Sequence, residues 1–345
     1  MSRPIQCISA GILVADHVCQ PIDHHPVAGE LVLTDRLMLT IGGCAANVAI
    51  DLARLDVEVG VIGCVGRDVF GRFVTDTLDE VGIDTAAIRA DDKAGTSGTL
   101  IVNVRGEDRR FVHYIGANAA FTVDDLPIEE IRRAKVFYLG GYLLMPNLDP
   151  ERLGKLLGEL RRSGVKTVVD VVVPGEGDHW SRLRPVLAET DFFLPNGDES
   201  AVITGHTDPI EQAAAFREAG ADTVVITCGG EGAVLVGPNE RLRSGTFPTE
   251  FIGGTGAGDA FDAGFIAGLL AGLDSRGCLA WGSALGASCV RSVSATDAVF
   301  TRARRRRFLP CITSNLNRFK HGVTARAAGT ALPRPGEMRL TSRRD

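Results

Sequence analysis

Ile252-Gly-Gly-Thr-Gly-Ala-Gly-Asp259-Ala-Phe-Asp-Ala-Gly-Phe-Ile-Ala-Gly-Leu-Leu270 runs from a glycine-dense turn straight into an apolar segment. Phe261, Phe265, Ile266 and Leu269 recur at helical spacing, which predicts a helix starting near Gly256 with that face buried. The N–H groups of Gly256, Ala257 and Gly258 then lie in its first turn, unpaired within the helix. Bare glycines let an anion approach the backbone, and the helix dipole favours negative charge at that end. Asp259 follows in the same turn, where a carboxylate can take a proton from a hydroxyl held beside the anion. One turn thus offers both an anion hole and a base.

The chain has 345 residues, 45% of them hydrophobic and 23% charged, enough to bury the core of one large domain with at most a small appendage. Its eight cysteines form no C-x-x-C pair and mostly sit in apolar runs, the usage expected of a reducing cytoplasm. No apolar run is long enough to cross a bilayer, and Ile8–Val14 lacks a basic leader and soon meets Asp16, so neither a membrane span nor a signal peptide is expected. Net charge is −6, but from Arg302 onward twelve Lys/Arg face two acids, a local +10 that leaves −16 on the rest. So acidic a body argues against nucleic acid as a partner. The run Arg304–Arg307 and residues 313–345 read as a basic, poorly ordered tail, with the folded domain ending at 312.

Taken in order, Gln6–Val14 reads as a strand with Asp16 beyond its C-terminal end, the edge where ligands gather in open α/β sheets. Residues from about 17 to 40, with alternating Leu31, Leu33, Leu37 and Leu39, and from about 96 to 117, with two β-rich runs around Arg105-Gly-Glu-Asp108, suggest a small sheet apart from the main one. Between them, Ile41-Gly-Gly-Cys-Ala-Ala-Asn47-Val-Ala-Ile-Asp-Leu-Ala-Arg-Leu55 is a second glycine-to-helix junction. Ala46, Ala49, Ile50 and Ala53 are expected to face inward and Asp51 and Arg54 to stay wet, leaving Gly42, Gly43 and Asn47 near the helix mouth. A polyhydroxylated ligand can approach such glycines and bond to the Asn amide. From Lys135 onward, apolar strands at Lys135–Leu139, Thr167–Val173, Asp191–Leu194 and Thr223–Thr227 alternate with helical stretches near Pro150–Ser163, Trp180–Ala188 and Ile210–Ala219. This predicts a doubly wound α/β fold, a mostly parallel sheet with helices on both faces. Neither G-x-x-x-x-G-K-[ST] nor, after the first strand, G-x-G-x-x-G occurs, which argues against a P-loop and a dehydrogenase.

The stretch ending in Gly-Ala-Gly-Asp259-Ala-Phe resembles the C-terminal signature of the PfkB (ribokinase-like) carbohydrate kinases, and Gly42-Gly43-x-x-x-Asn47-x-Ala, followed by a strand and Gly66-Arg-Asp68-x-x-Gly71, resembles the N-terminal one. Asn196-Gly-Asp-Glu199 is similar to the family's Asn-x-x-Glu motif, and Thr227-Cys-Gly229-Gly-Glu-Gly232 to its nucleotide loop. The likeness spans about residues 5 to 309. It implies a ribokinase-like fold with a small β-sheet lid, and transfer of the ATP γ-phosphoryl group to a sugar hydroxyl. Asp259 would be the base and Gly256, Ala257 and Gly258 the anion hole. Asp16, Gly42, Gly43, Asn47 and Asn118 would hold the substrate, while Asn196, Thr227, Gly229, Gly232 and Thr255 would hold the nucleotide. Glu199 would order Mg²⁺, through water. The lid is also the expected contact of a homodimer.

Two departures narrow the reading. Gly253 stands where the family usually has an Asp that helps hold potassium, which puts a monovalent-cation site in doubt. Cys44 and Gly140-Gly-Tyr142 replace a Lys and a Glu of ribose-specific members, so ribose is disfavoured. A nucleoside kinase of the same fold and a catalytically weak sugar- or nucleotide-binding regulator are the alternatives.

Overall fold

The computed structural model describes residues 4–107 and 110–301. Asp108 and Arg109 of the hairpin tip, the Arg304–Arg307 run, Cys311 and the 313–345 tail lie outside the described residues, as does the proposed domain end at 312.

In chain order the strands are β1 (Cys7–Gly11), β2 (Val14–Cys19), β3 (Leu37–Gly42), β4 (Val59–Gly66), β5 (Asp84–Asp91), β6 (Gly98–Val102), β7 (Arg110–Tyr114), β8 (Val136–Gly140), β9 (Lys166–Val169), β10 (Phe192–Phe193), β11 (Thr223–Thr227), β12 (Ala233–Val236) and β13 (Arg241–Ser244). The helices are α1 (Cys44–Arg54), α2 (Val69–Glu80), α3 (Ile128–Ile131), α4 (Pro150–Arg162), α5 (His179–Leu187), α6 (Gly197–Thr204), α7 (Pro209–Glu218), α8 (Ala257–Leu270) and α9 (Ser275–Cys289). The main sheet runs β13-β12-β11-β10-β9-β8-β1-β4-β5, parallel from β11 to β5, with an antiparallel edge at β12 and β13. Along β1, Cys7 belongs to one hydrophobic cluster with Phe261, Phe265 and Trp281, while Ile8 belongs to another with Phe193, Leu157 and Phe216. Alternate side chains therefore feed two cores, one on each face, as a parallel sheet sandwiched by helices requires. The doubly wound architecture expected from the sequence is the one observed.

A second sheet, β3-β2-β6-β7, forms the lid. Here the chain differs from the expectation. The first strand stops at Gly11, where the backbone turns with φ 136°, and the chain re-pairs at Val14 as a lid strand. Asp16 consequently lies inside β2, opposite Thr40 and Thr99, rather than beyond a main-sheet strand. Leu31 and Leu33, read as part of a lid strand, lie outside the strands and are 85% and 82% exposed. Their alternation has no partner to pair with.

Helix α1 holds a second difference. Asp51 is fully buried instead of wet, because α1 packs against α8 as well as against β1 and β4. Its carboxyl is held well above the ordinary range, chiefly by that burial.

Candidate active site

Helix α8 begins as the sequence indicates. Gly256 is its N-cap with φ 75°, and a Cβ there would lie 2.5 Å from the Ala295 carbonyl oxygen, so only glycine fits this turn. No side chain caps the helix. The Ala257 N–H reaches the Gly254 carbonyl at 3.3 Å, so of the three donors expected to be unpaired this one closes a turn instead. Asp259, in the first turn, accepts a 2.8 Å bond from the Asn47 amide of α1. Burial pushes its carboxyl above the ordinary range, and hydrogen bonds from Asn47 and the Cys44 thiol oppose the shift.

Around Asp259 the fold gathers acids that were given no role from the sequence. Asp170, just past β9, and Asp262, one turn on in α8, are 9% and 2% exposed. The hydroxyl of Tyr138 in β8 donates to Asp262 at 3.1 Å and to Asp170 at 3.5 Å. Ligand atoms of Cys44, Asp170 and Asp259 all lie within 4.8 Å of one another. Burial, and then the neighbouring carboxylates, raise Asp170 and Asp262 well above the usual range. An isolated carboxylate inside the apolar run Thr167–Val173 was the available signal for Asp170.

Asp16 faces this cluster from the lid. It is 8% exposed, and burial carries its carboxyl up to about 6 against a hydrogen bond from Thr99, with the charge of Asp259 adding to the rise. Gly42 gives it room, since a Cβ there would fall 2.0 Å from Asp16 Oδ2. Gly43 caps α1, whose third turn-forming residue past Cys44 is Asn47. Asn118 stands apart from its expected role. Fully buried, it accepts from the Leu13 N–H at 3.1 Å and donates to the Leu13 carbonyl at 3.0 Å. Its amide ties the loop beyond the lid to the chain between β1 and β2.

Along the start of α8 opens a cleft of about 900 Å³ lined by Asn196, Thr227, Gly229, Gly232, Ala257 and Gly258 together with Phe247, Phe251 and Val290. Thr255 and Gly256 are not among its lining residues. Asn196 and Glu199 form a reciprocal capping box at the start of α6, with bonds of 2.8 and 3.1 Å. Burial raises the Glu199 carboxyl to about 7, while backbone bonds from Asn196 and Val173 pull it down and Asp259 pushes it up. The buried carboxyls of Asp170, Asp259, Asp262 and Glu199 thus lie close enough to raise one another's pKa. Of the group formed by Cys44, Asp170 and Asp259, the two carboxylates supply the hard oxygen ligands that suit Mg²⁺, whereas the Cys44 sulfur does not.

Residues 6–302 match the pfkB family of carbohydrate kinases. The chain is 28% identical over 307 residues to the aminoimidazole riboside kinase of Salmonella typhimurium, covering 86% of each chain. It is 28% identical over 283 residues to the 2-dehydro-3-deoxygluconokinase of Bacillus subtilis, covering 78% of this chain and 86% of the relative. In fold it resembles Arabidopsis thaliana ribokinase complexed with ribose and ATP, with a TM-score of 0.73 and 21% identity over 91% of this chain and 99% of that one. No helix among the described residues is long and apolar enough to cross a membrane. With a doubly wound sheet, a lid, and an acid at the mouth of an uncapped helix, the chain belongs to the pfkB carbohydrate kinase family, and its reaction is the ATP-dependent phosphorylation of a hydroxyl on a sugar or sugar-like substrate.

Proposed function

We propose that Asp259 is the general base and that the backbone N–H groups of Gly256, Ala257 and Gly258 receive the transferring phosphoryl group, Ala257 giving up its long 3.3 Å bond to Gly254 to do so. The observation that carries this is the placing of Asp259 in the first turn of α8, 2.8 Å from the Asn47 amide and beside the cleft that Ala257 and Gly258 line. A raised carboxyl pKa suits a base that must take a proton from an alcohol, because it brings the acceptor closer to the working pH. The helix N-terminus offers fixed dipoles to charge that grows during transfer, with little reorganisation. Asn47 holds the base in orientation, and Asp16, with Gly42 and Gly43 clearing its approach, accepts a second hydroxyl of the substrate. Closure of the lid keeps water, a competing acceptor, out.

The nucleotide lies in the cleft along Asn196, Thr227, Gly229 and Gly232, with Thr255 supporting the turn from behind. Glu199 and the acids near it hold Mg²⁺, which when bound neutralises phosphate charge. Gly253, in place of an acid, leaves the turn without one carboxylate that could hold potassium.

A nucleoside substrate is the second reading. On the face of the lid that bears Asp16, the adjoining row is Met38, Val18, Ile101 and Phe111, an apolar and aromatic strip that a base could lie against. The opposite face carries Leu39, Leu100 and Val112, which are 41%, 45% and 66% exposed and in register. Two lids meeting through it would make a homodimer. An ATP-using enzyme with buried free thiols fits the cytoplasm.

The test is ATP turnover against a panel of sugars and nucleosides, with the product identified by phosphorus NMR. A phosphate monoester on one substrate is expected; ATP hydrolysis without any ester would contradict the reading.

A further inference from the structure

We propose that the substrate pocket selects by charge, accepting uncharged sugars and ribosides and rejecting those that carry a phosphate or carboxylate. The inference rests on the kinase reading above and sharpens it, because the relatives include both a riboside kinase and a kinase named for a sugar acid.

Three features of the pocket carry it. The first is the Asp16 carboxylate, fixed on the inner lid row Thr40-Asp16-Thr99-His113 and close enough to Asp259 for the two charges to interact. A substrate held between the lid and the base therefore lies between Asp16 and Asp259. The second is that several arginines among the described residues are already engaged. Arg67 pairs with Asp92, Arg89 with Asp91 and Asp125, Arg105 with Asp23, and Arg182 donates to the carbonyls of Met145, Pro146 and Leu148. The third is His113, the titratable base on the row of Asp16. It shares a 3.0 Å hydrogen bond with Thr99, and partial burial disfavours its charged form.

Hydroxyl groups donate well to carboxylates, whereas an anionic group brought beside them is repelled. A second negative charge within about 6 Å of Asp16, at an effective dielectric of about 20, weakens binding about 100-fold. The γ-phosphoryl group escapes this penalty because it enters from the other side, over the helix N-terminus.

The experiment compares matched pairs on the full chain: ribose with ribose 5-phosphate, fructose with fructose 6-phosphate, glucose with gluconate. Both kcat/KM with ATP and Mg²⁺ and calorimetric binding of the sugar alone are measured. The neutral member is expected to be favoured about 100-fold or more wherever either member is used or bound. Equal or better use of an anionic member overturns the inference while leaving the kinase reading intact. Absence of both turnover and binding for every pair and for free nucleosides removes the kinase reading and the inference with it. In Asp16→Asn the discrimination should narrow at least several-fold; discrimination kept in full would mean that Asp16 is not the selector.

Discussion

Replacing Asp16 by Asn should make the free protein more stable and a worse binder of its substrate. Burial holds the Asp16 carboxyl at about 6 rather than 3.8, so above both values the folded state bears a cost of about 3 kcal/mol for keeping it ionised. The sign follows from proton binding. Between pH 4 and 6 the folded chain holds a proton that the unfolded chain has released, so stability falls as pH rises through that window and the whole cost is present above it. Asparagine retains the shape without the charge. Because its amide is also costly to bury, about 1–3 kcal/mol should be recovered at pH 7.5, a rise in Tm of roughly 2–6 °C for a domain of this size. Near pH 4 the gain should disappear. Binding moves the other way, since a substrate hydroxyl loses a charged acceptor worth about 1.5–3 kcal/mol, and affinity should drop roughly 10- to 100-fold. Thermal unfolding of both proteins from pH 4 to pH 8, paired with sugar binding by calorimetry, measures both effects. A variant less stable than the parent at pH 7.5, or one that binds the sugar as tightly, would refute the reasoning.

Other outcomes follow from the same geometry. Gly42→Ala keeps an ordinary backbone but sets a Cβ 2.0 Å from Asp16 Oδ2, so the carboxylate must shift; KM for the sugar should rise about 10-fold or more while KM for ATP stays constant. Leu100→Lys combined with Val112→Asp should convert a lid-paired dimer to monomers in sedimentation, and an unchanged mass would place any dimer contact elsewhere. Replacing potassium by a larger organic cation should leave turnover unaltered, and a large loss would show that Gly253 does not remove the cation requirement.

Much of this was legible in the sequence because it depends on local chemistry. Gly256-Ala-Gly-Asp259 and Gly43 through Asn47 state where two helices begin, and apolar runs such as Thr223–Thr227 state where parallel strands lie. What stayed hidden depends on contacts between distant segments. Tyr138, Asp170 and Asp262 come from β8, the end of β9 and α8, and only the order of strands in the sheet brings them together. Asp51 looked wet because its position on α1 falls opposite the expected core face, yet α8 covers that side too. Asn118 looked like a ligand contact, and only the approach of Leu13 shows the structural bonds that its amide makes. Asn196 shows that a helix-capping residue can also line a cleft.

The central claim is that one carboxylate in the first turn of α8 takes the proton of the attacking hydroxyl, and Asp259→Asn tests it most directly. Steady-state turnover and calorimetric binding of sugar and ATP should be measured together on this variant. The account predicts that kcat falls about 10²–10⁴-fold while both affinities change little. Turnover at the parent rate would contradict it.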